Sequence, residues 1–173
     1  MSHAQVDLKG KVVVITGASR GIGKAIATRM ASQGASLVLA ARKQGPLDET
    51  VKHLKDKYGV PAIGVSTDVG KLEDLQNLVK KAKEAFKQID ILINVAGVSS
   101  QYPFHLQPIE DFEMLANTNY LGYVRLIRLV IPDMVERKSG HLINVVSGST
   151  LVDPIPPDAS QFAVKLISLE DAP

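Results

Sequence analysis

Three glycines, Gly17, Gly21 and Gly23, stand in the run Thr16-Gly17-Ala18-Ser19-Arg20-Gly21-Ile22-Gly23. Alone, a G-x-x-x-G-x-G triple carries little information. Its placement carries more, because it joins a short β-branched apolar run, Lys11 to Thr16, to an amphipathic run that starts at Gly21. There Gly17 and Gly21 let the backbone turn tightly and approach a diphosphate, and Gly23 lets the following helix press on the sheet. Free N–H groups at the helix start then face the phosphates. Other chemistries are absent. The sequence has no Cys, which removes disulfides, Cys-ligated zinc and thiol catalysis together. His53, His105 and His141 share no ligand spacing, so no metal site is expected.

A loop of this kind needs a sheet beneath it, and the rest of the chain supplies one. Short apolar runs at Lys11 to Thr16, Ala35 to Ala41, Ala62 to Thr67, Asp90 to Val95 and His141 to Val146 read as strands. Between them, helices are expected at Gly21 to Gln33, Pro46 to Tyr58 and Leu72 to Gln88, and along the stretch from Pro108 to Lys138. Gly59 should stop the second helix, and Pro132 should kink the last. The first helix is expected to turn Ile22, Ala25, Ile26 and Met30 inward, and the third Leu72, Leu75, Val79, Ala82 and Phe86. Strands that are apolar throughout are covered on both faces. The fold class is therefore α/β: a doubly wound, Rossmann-like parallel sheet of about five strands with helices on both faces.

Composition agrees with this and excludes alternatives. The chain has 173 residues, 45% hydrophobic and 22% charged, with a net charge of +2. That is the profile of one soluble globular domain, not of a disordered, collagenous or coiled-coil chain, and it gives no case for a nucleic-acid or anionic-membrane partner. The opening MSHAQVDLKGK has no apolar signal core, and no run approaches the ~18 apolar residues of a membrane span, so a cytoplasmic location is expected. Past Val146 the pattern thins. Ser147 to Pro157 reads as loop, and Asp158 to Leu169 as a helix capped by Asp158. A sheet ending on HLINVV would leave a bare apolar edge, so either another segment covers it or the chain is part of a longer fold.

The loop with its flanks, ITGASRGIGKAIA, resembles the short-chain dehydrogenase/reductase family of classical type. Asp68-Val69, after the third strand, looks like that family's adenine-contacting pair. Asn94-Val95-Ala96-Gly97 resembles its N-N-A-G element, with Val95 in place of the second Asn. Asn119, in NTNYLGY, matches its helix Asn. Ser147, three residues past Asn144, falls where its Ser is expected, with Ser149 the alternative, and Lys165, in ASQFAVK, falls at its Lys. The likeness covers residues 8 to about 165 and implies hydride exchange between a nicotinamide and a carbonyl or alcohol. Catalytic roles are then expected of Asn119, Ser147 and Lys165. Cofactor contacts are expected of Gly17, Ser19, Arg20, Gly21, Ile22, Gly23, Arg42, Asp68, Val69, Asn94, Ala96 and Gly97. The resemblance also implies a homo-oligomer built through the 108–138 helical stretch. Residues 1–173 are then a single dinucleotide-binding domain, incomplete at its C-terminus and lacking the last strands of the family fold.

Charge chooses between cofactors. An NAD-preferring site ends its second strand with Asp or Glu, which bonds the ribose 2′-OH and repels a 2′-phosphate. Here that strand ends Ala40-Ala41-Arg42-Lys43, with no acid before Asp48 and with Arg20 in the nearby glycine loop. These cations suit a dianionic 2′-phosphate, so NADP(H) is expected, with NAD(H) second.

One family residue is missing. Four residues before Lys165, where the resemblance places a proton-donating Tyr, stands Gln161. Its amide donates a hydrogen bond but has no proton to transfer near neutral pH. Losing a positioned acid costs about 10² to 10⁴ in rate. None of Tyr58, Tyr102, Tyr120 and Tyr123 is an evident substitute, although Tyr120 or Tyr123 should pack in the core or an interface. Two functions remain open: an NADP(H)-dependent oxidoreductase, of which this is a shortened form, or an impaired NADP-binding variant that acts as a binding or dimer partner.

Overall fold

The computed structural model describes residues 6–100 and 104–147 and the backbone of 162–168. Every expected strand and helix through residue 147 is present, with ends within two residues of those read from the sequence. In order they are β1 (Val12–Thr16), α1 (Gly21–Ser32), β2 (Ser36–Ala41), α2 (Gln44–Tyr58), β3 (Ala62–Ser66), α3 (Leu72–Phe86), β4 (Ile91–Asn94), α4 (Ile109–Ala116), α5 (Gly122–Glu136), β5 (His141–Ser147) and β6 (Phe162–Ser168). The sheet runs β3-β2-β1-β4-β5-β6. Its first five strands are parallel, and β6 is antiparallel to β5.

The strands earn their place by filling two apolar layers. Side chains alternate across the sheet. Val12, Val14, Val38, Ala40, Leu92 and Leu142 face Leu75, Leu78 and Val79 of α3 and Leu126, Val130 and Met134 of α5. Val13, Ile15, Leu37, Leu39 and Ile93 face Ala27 and Ala31 of α1 and Leu47 and Leu54 of α2. Helices therefore cover both faces. At the amino edge of the sheet the buried Asp90 carboxylate accepts from Val12 N at 2.8 Å and from Gln88 Nε2 at 2.9 Å, tying β1 to the foot of β4.

Local signals explain most boundaries. Gly59 closes α2 at φ +66°, a conformation a side chain disfavours. The long helical stretch breaks at a π-helical turn, Asn117–Leu121, and α5 continues through Pro132 to Glu136. The first helix differs from expectation. Its buried residues are Gly23, Ala27 and Ala31, with Ile26 and Met30 half-buried, while Ile22 is exposed. Small residues on that face bring α1 close to the sheet, which leaves Ile22 and Ala25 outside. Leu72 is likewise exposed at the start of α3.

The segment read as a helix from Asp158 to Leu169 is, over its described part, the strand β6. It pairs with β5 from His141↔Ser168 to Ser147↔Phe162. The bare flank of β5 is the cause: its unpaired N–H and C=O groups take a β-prone neighbour, and Phe-Ala-Val-Lys-Leu-Ile-Ser is one. Lys165 accordingly stands opposite Asn144 on an edge strand rather than on a helix. Gln161, Ser149 and Tyr102 lie outside the described residues. Among the described residues, no helix is long and apolar enough to cross a membrane.

Candidate functional site

β2 and β3 lie on one side of β1, and β4 and β5 on the other. The chain reverses its direction of winding there, so the loops leaving β1 and β4 diverge and open a crevice at the carboxyl edge. A cavity of about 590 Å³ occupies it. The loops after β1, β2, β3 and β4 all contribute walls.

The glycine loop forms the floor. Gly17 adopts φ +68°, and a Cβ there would stand 3.0 Å from both Cα and N of Ala96, so the loops after β1 and β4 touch backbone to backbone. A Cβ at Gly23 would collide with the Gly17 carbonyl, which places the start of α1 directly under the turn. Gly21 is different. At φ +54°, its missing Cβ would meet nothing, because it would project into open space. No side chain caps α1, and its first turn carries no acid, whereas α3 begins with Glu73 and Asp74. The positive end of the α1 dipole is therefore left for an external anion.

Beside the floor, Arg20, Arg42 and Lys43 line the cavity. Among the described residues none of the three has a carboxylate partner, and Asp68 is the only acid in the lining. Asp48, the nearest acid in sequence, accepts from Gln44 Nε2 at 2.7 Å. The Asp68 carboxylate accepts from Gly70 N at 3.0 Å, and Asp74 accepts from Asp68 N at 2.8 Å, which fixes the turn after β3. The cavity brings together every residue expected to contact a cofactor except Asn94. Asn94 is buried on the other side of β4, sharing a face with Leu92, and donates from Nδ2 to Asn144 Oδ1 at 2.9 Å. Strand alternation is the reason.

Sequence reading missed Thr16. It is fully buried at the end of β1, and its hydroxyl oxygen accepts from Val95 N at 3.0 Å and Ala96 N at 3.1 Å. One side chain thus fixes the loop after β4 against the loop after β1. The available signal was a hydroxyl closing an otherwise apolar strand, directly before Gly17. Thr67, Val98 and Thr118 also join the lining.

The expected catalytic residues are spread more widely. Asn119, on the π-helical turn, uses both ends of its amide on one residue: Oδ1 accepts from Val98 N at 2.9 Å, and Nδ2 donates to Val98 O at 2.8 Å. It clasps the loop after β4. Ser147 ends β5 at the carboxyl edge, and Lys165 is in β6. Of the tyrosines on the long helix, Tyr123 is buried and Tyr120 exposed. Tyr123 donates its hydroxyl to the Val145 carbonyl at 3.3 Å. Burial pushes this phenol up to about 12, so it stays neutral.

A family model described as short chain dehydrogenase matches residues 11–160. An uncharacterized oxidoreductase of Staphylococcus saprophyticus is 39% identical over 142 residues, covering 82% of this chain and 61% of that protein. The ketoacyl reductase HetN of Nostoc is 38% identical over 140 residues, covering 81% of this chain and 48% of that one. Among solved structures, L-sorbose reductase from Gluconobacter frateurii, complexed with NADPH and L-sorbose, superposes with a TM-score of 0.82 at 35% identity, covering 85% of this chain and 56% of that chain. A short chain dehydrogenase/reductase from Burkholderia phymatum in complex with NAD gives a TM-score of 0.82 at 35% identity, covering 86% and 53%. This chain spans between about half and three fifths of the length of these relatives.

Proposed function

The chain belongs to the short-chain dehydrogenase family, a family of oxidoreductases, and from that premise we propose that it binds NADP(H) and serves hydride exchange with a small carbonyl or alcohol substrate. The observation that carries this reading is the cradle at Gly21: a backbone with φ +54° and an open space where a side chain would stand, at the uncapped start of a helix. A diphosphate suits that cradle, because backbone N–H groups and the helix dipole both favour an anion there. Preference for NADP(H) over NAD(H) rests on Arg20, Arg42 and Lys43, three cations without carboxylate partners among the described residues. Charge-assisted hydrogen bonds of this kind contribute about 1.5 to 3 kcal/mol each when well formed, less at an exposed rim.

A bound nicotinamide supplies or accepts the hydride. In this reading Ser147 holds the substrate oxygen and Asn119 keeps the loop after β4 in place through Val98, while the ribose role that the family likeness gives Lys165 lacks the helix it depends on, since Lys165 stands on β6 opposite Asn144. The homo-oligomer implied by the family likeness belongs to the same proposal. Gln161 favours a second reading, in which the chain binds NADP(H) without turnover and acts as a binding or dimer partner.

Fluorescence titration with NADPH and NADH tests the first step, and a carbonyl panel assayed with the chain and its Gln161→Tyr variant tests the second. Tighter binding of NADPH, by about tenfold, is the expected result. Failure to bind either nucleotide removes the functional reading. Equal turnover by the chain and the variant removes the argument from the missing acid, and binding without turnover in the unaltered chain supports the second reading.

A further inference from the structure

The seven residues from Asn117 to Tyr123 reach the ends of three parallel strands. At the end of β3, Gly122 lies against the Val69 carbonyl, where a Cβ would stand at 2.7 Å. At the end of β4, the Asn119 amide clasps Val98. At the end of β5, Tyr123 bonds Val145.

The third contact differs from the other two in what it fixes. The ladder between β4 and β5 ends at the pair Asn94↔Asn144, so Val145 is the first residue of β5 beyond it. β5 then runs two residues further, to Ser147. Tyr123 is only 9% exposed, and its hydroxyl is committed to the Val145 carbonyl. A buried donor therefore meets the backbone where the ladder with β4 has ended and β5 is held on its other flank alone, by the antiparallel pairing with β6 that runs on to Ser147.

We propose that Tyr123 is a positioning residue for Ser147: by holding the Val145 carbonyl, it fixes the direction in which β5 delivers its last residue to the carboxyl edge of the sheet. The inference rests on the reading of Ser147 as the group that holds the substrate oxygen. Because the phenol stays neutral, the donor is present throughout the range in which the protein is handled. Loss of the hydroxyl alone leaves the ring to fill the same space, so Tyr123→Phe separates the bond from the packing.

The test is amide hydrogen exchange and amide resonance position, residue by residue, in the full chain. In Tyr123→Phe, exchange at Val145, Val146 and Ser147 should rise about tenfold, the loss of one hydrogen bond. The Ser147 amide resonance should move, while exchange in β1 and β2 rises less than at these three amides and the melting temperature falls by no more than the few degrees that one hydrogen bond accounts for. Unchanged exchange at those three amides overturns the proposal, and so does a rise shared equally by β1 and β2, which is the mark of a merely structural role. Tyr123→Leu, which removes the ring as well, should add a general loss of protection to the same local rise. A β5 end as protected in that variant as in wild type overturns the proposal too. NADPH titration of the unaltered chain is scored separately: absence of binding ends the functional reading, and the exchange data still decide the role of Tyr123.

Discussion

Gly21 and Gly23 look alike in sequence and differ in what a methyl group would do. At Gly23 it would collide with the Gly17 carbonyl, so Gly23→Ala damages the turn itself. At Gly21 it would enter open space at a strained φ of +54°, so Gly21→Ala should cost the fold only about 1 kcal/mol while filling the cradle. We expect that variant to keep its circular dichroism and to bind NADPH at least about tenfold more weakly; unchanged affinity would place the diphosphate elsewhere. Thr16 makes the opposite kind of point, through a buried hydroxyl that accepts from two backbone N–H groups. Thr16→Val leaves both donors unpaired, which should cost about 1 to 3 kcal/mol in denaturant unfolding, and Thr16→Ser should restore most of it. A Val variant as stable as wild type would contradict this. The glycines and cations were legible in the sequence because their meaning is carried by residue type: a backbone that must turn, a charge without a partner. The role of Thr16 was not, because it depends on which loop lies opposite, and Val95 and Ala96 are about eighty residues away.

At the scale of elements, periodicity located the five parallel strands and the helices between them, since an apolar run must be buried wherever it goes. It was less good at the exact face of a helix. The sequence stripe on α1 pointed to Ile22 and Ala25, whereas the packed face is Gly23, Ala27 and Ala31, selected by how closely the helix approaches the sheet. The last segment failed for a similar reason: Phe162 to Ser168 has no periodicity that rules out either a helix or a strand, and the flank of β5 decided it. α5 shows what an element adds beyond its own pattern, because it seats Tyr123 in an apolar environment that holds the phenol at about 12 against an ordinary value of 10.0. In the unfolded chain this phenol ionises from about pH 10, and in the folded one only near 12. Between those values the unfolded state binds fewer protons, so stability contributed by the neutral phenol is complete below pH 10 and falls as pH rises toward 12. Unfolding curves at pH 8 and pH 11 should therefore show a smaller alkaline loss for Tyr123→Phe than for wild type; an identical loss in both would mean that this tyrosine is solvated.

At the scale of the whole molecule, the cavity belongs to no single element. Loops after four parallel strands wall it, and both helix layers stand behind those loops, α1 and α2 on one side and α3 and α5 on the other. A ligand that bridges these loops is present only when all of them are folded, so binding must appear as global stability. At a free concentration of 100 times Kd the gain is about 2.7 kcal/mol, which for a chain of this size raises the melting temperature by about 5 to 10 °C. The identity of the nucleotide should modulate that gain through charge. Arg20, Arg42 and Lys43 sit at the rim of the cavity, where a 2′-phosphate meets them in solvent, so the advantage of NADPH over NADH should shrink as ionic strength rises toward 1 M and the screening length falls to about 3 Å. Replacing Arg42 with Ala should reduce the NADPH shift and leave the NADH shift nearly as it was, because only one of the two ligands carries the phosphate. Thermal melts with each nucleotide, at low and high salt, separate these effects. Equal shifts for the two nucleotides at low salt would mean that the three cations are ordinary solvated side chains, while the glycine cradle would still account for binding of the diphosphate common to both.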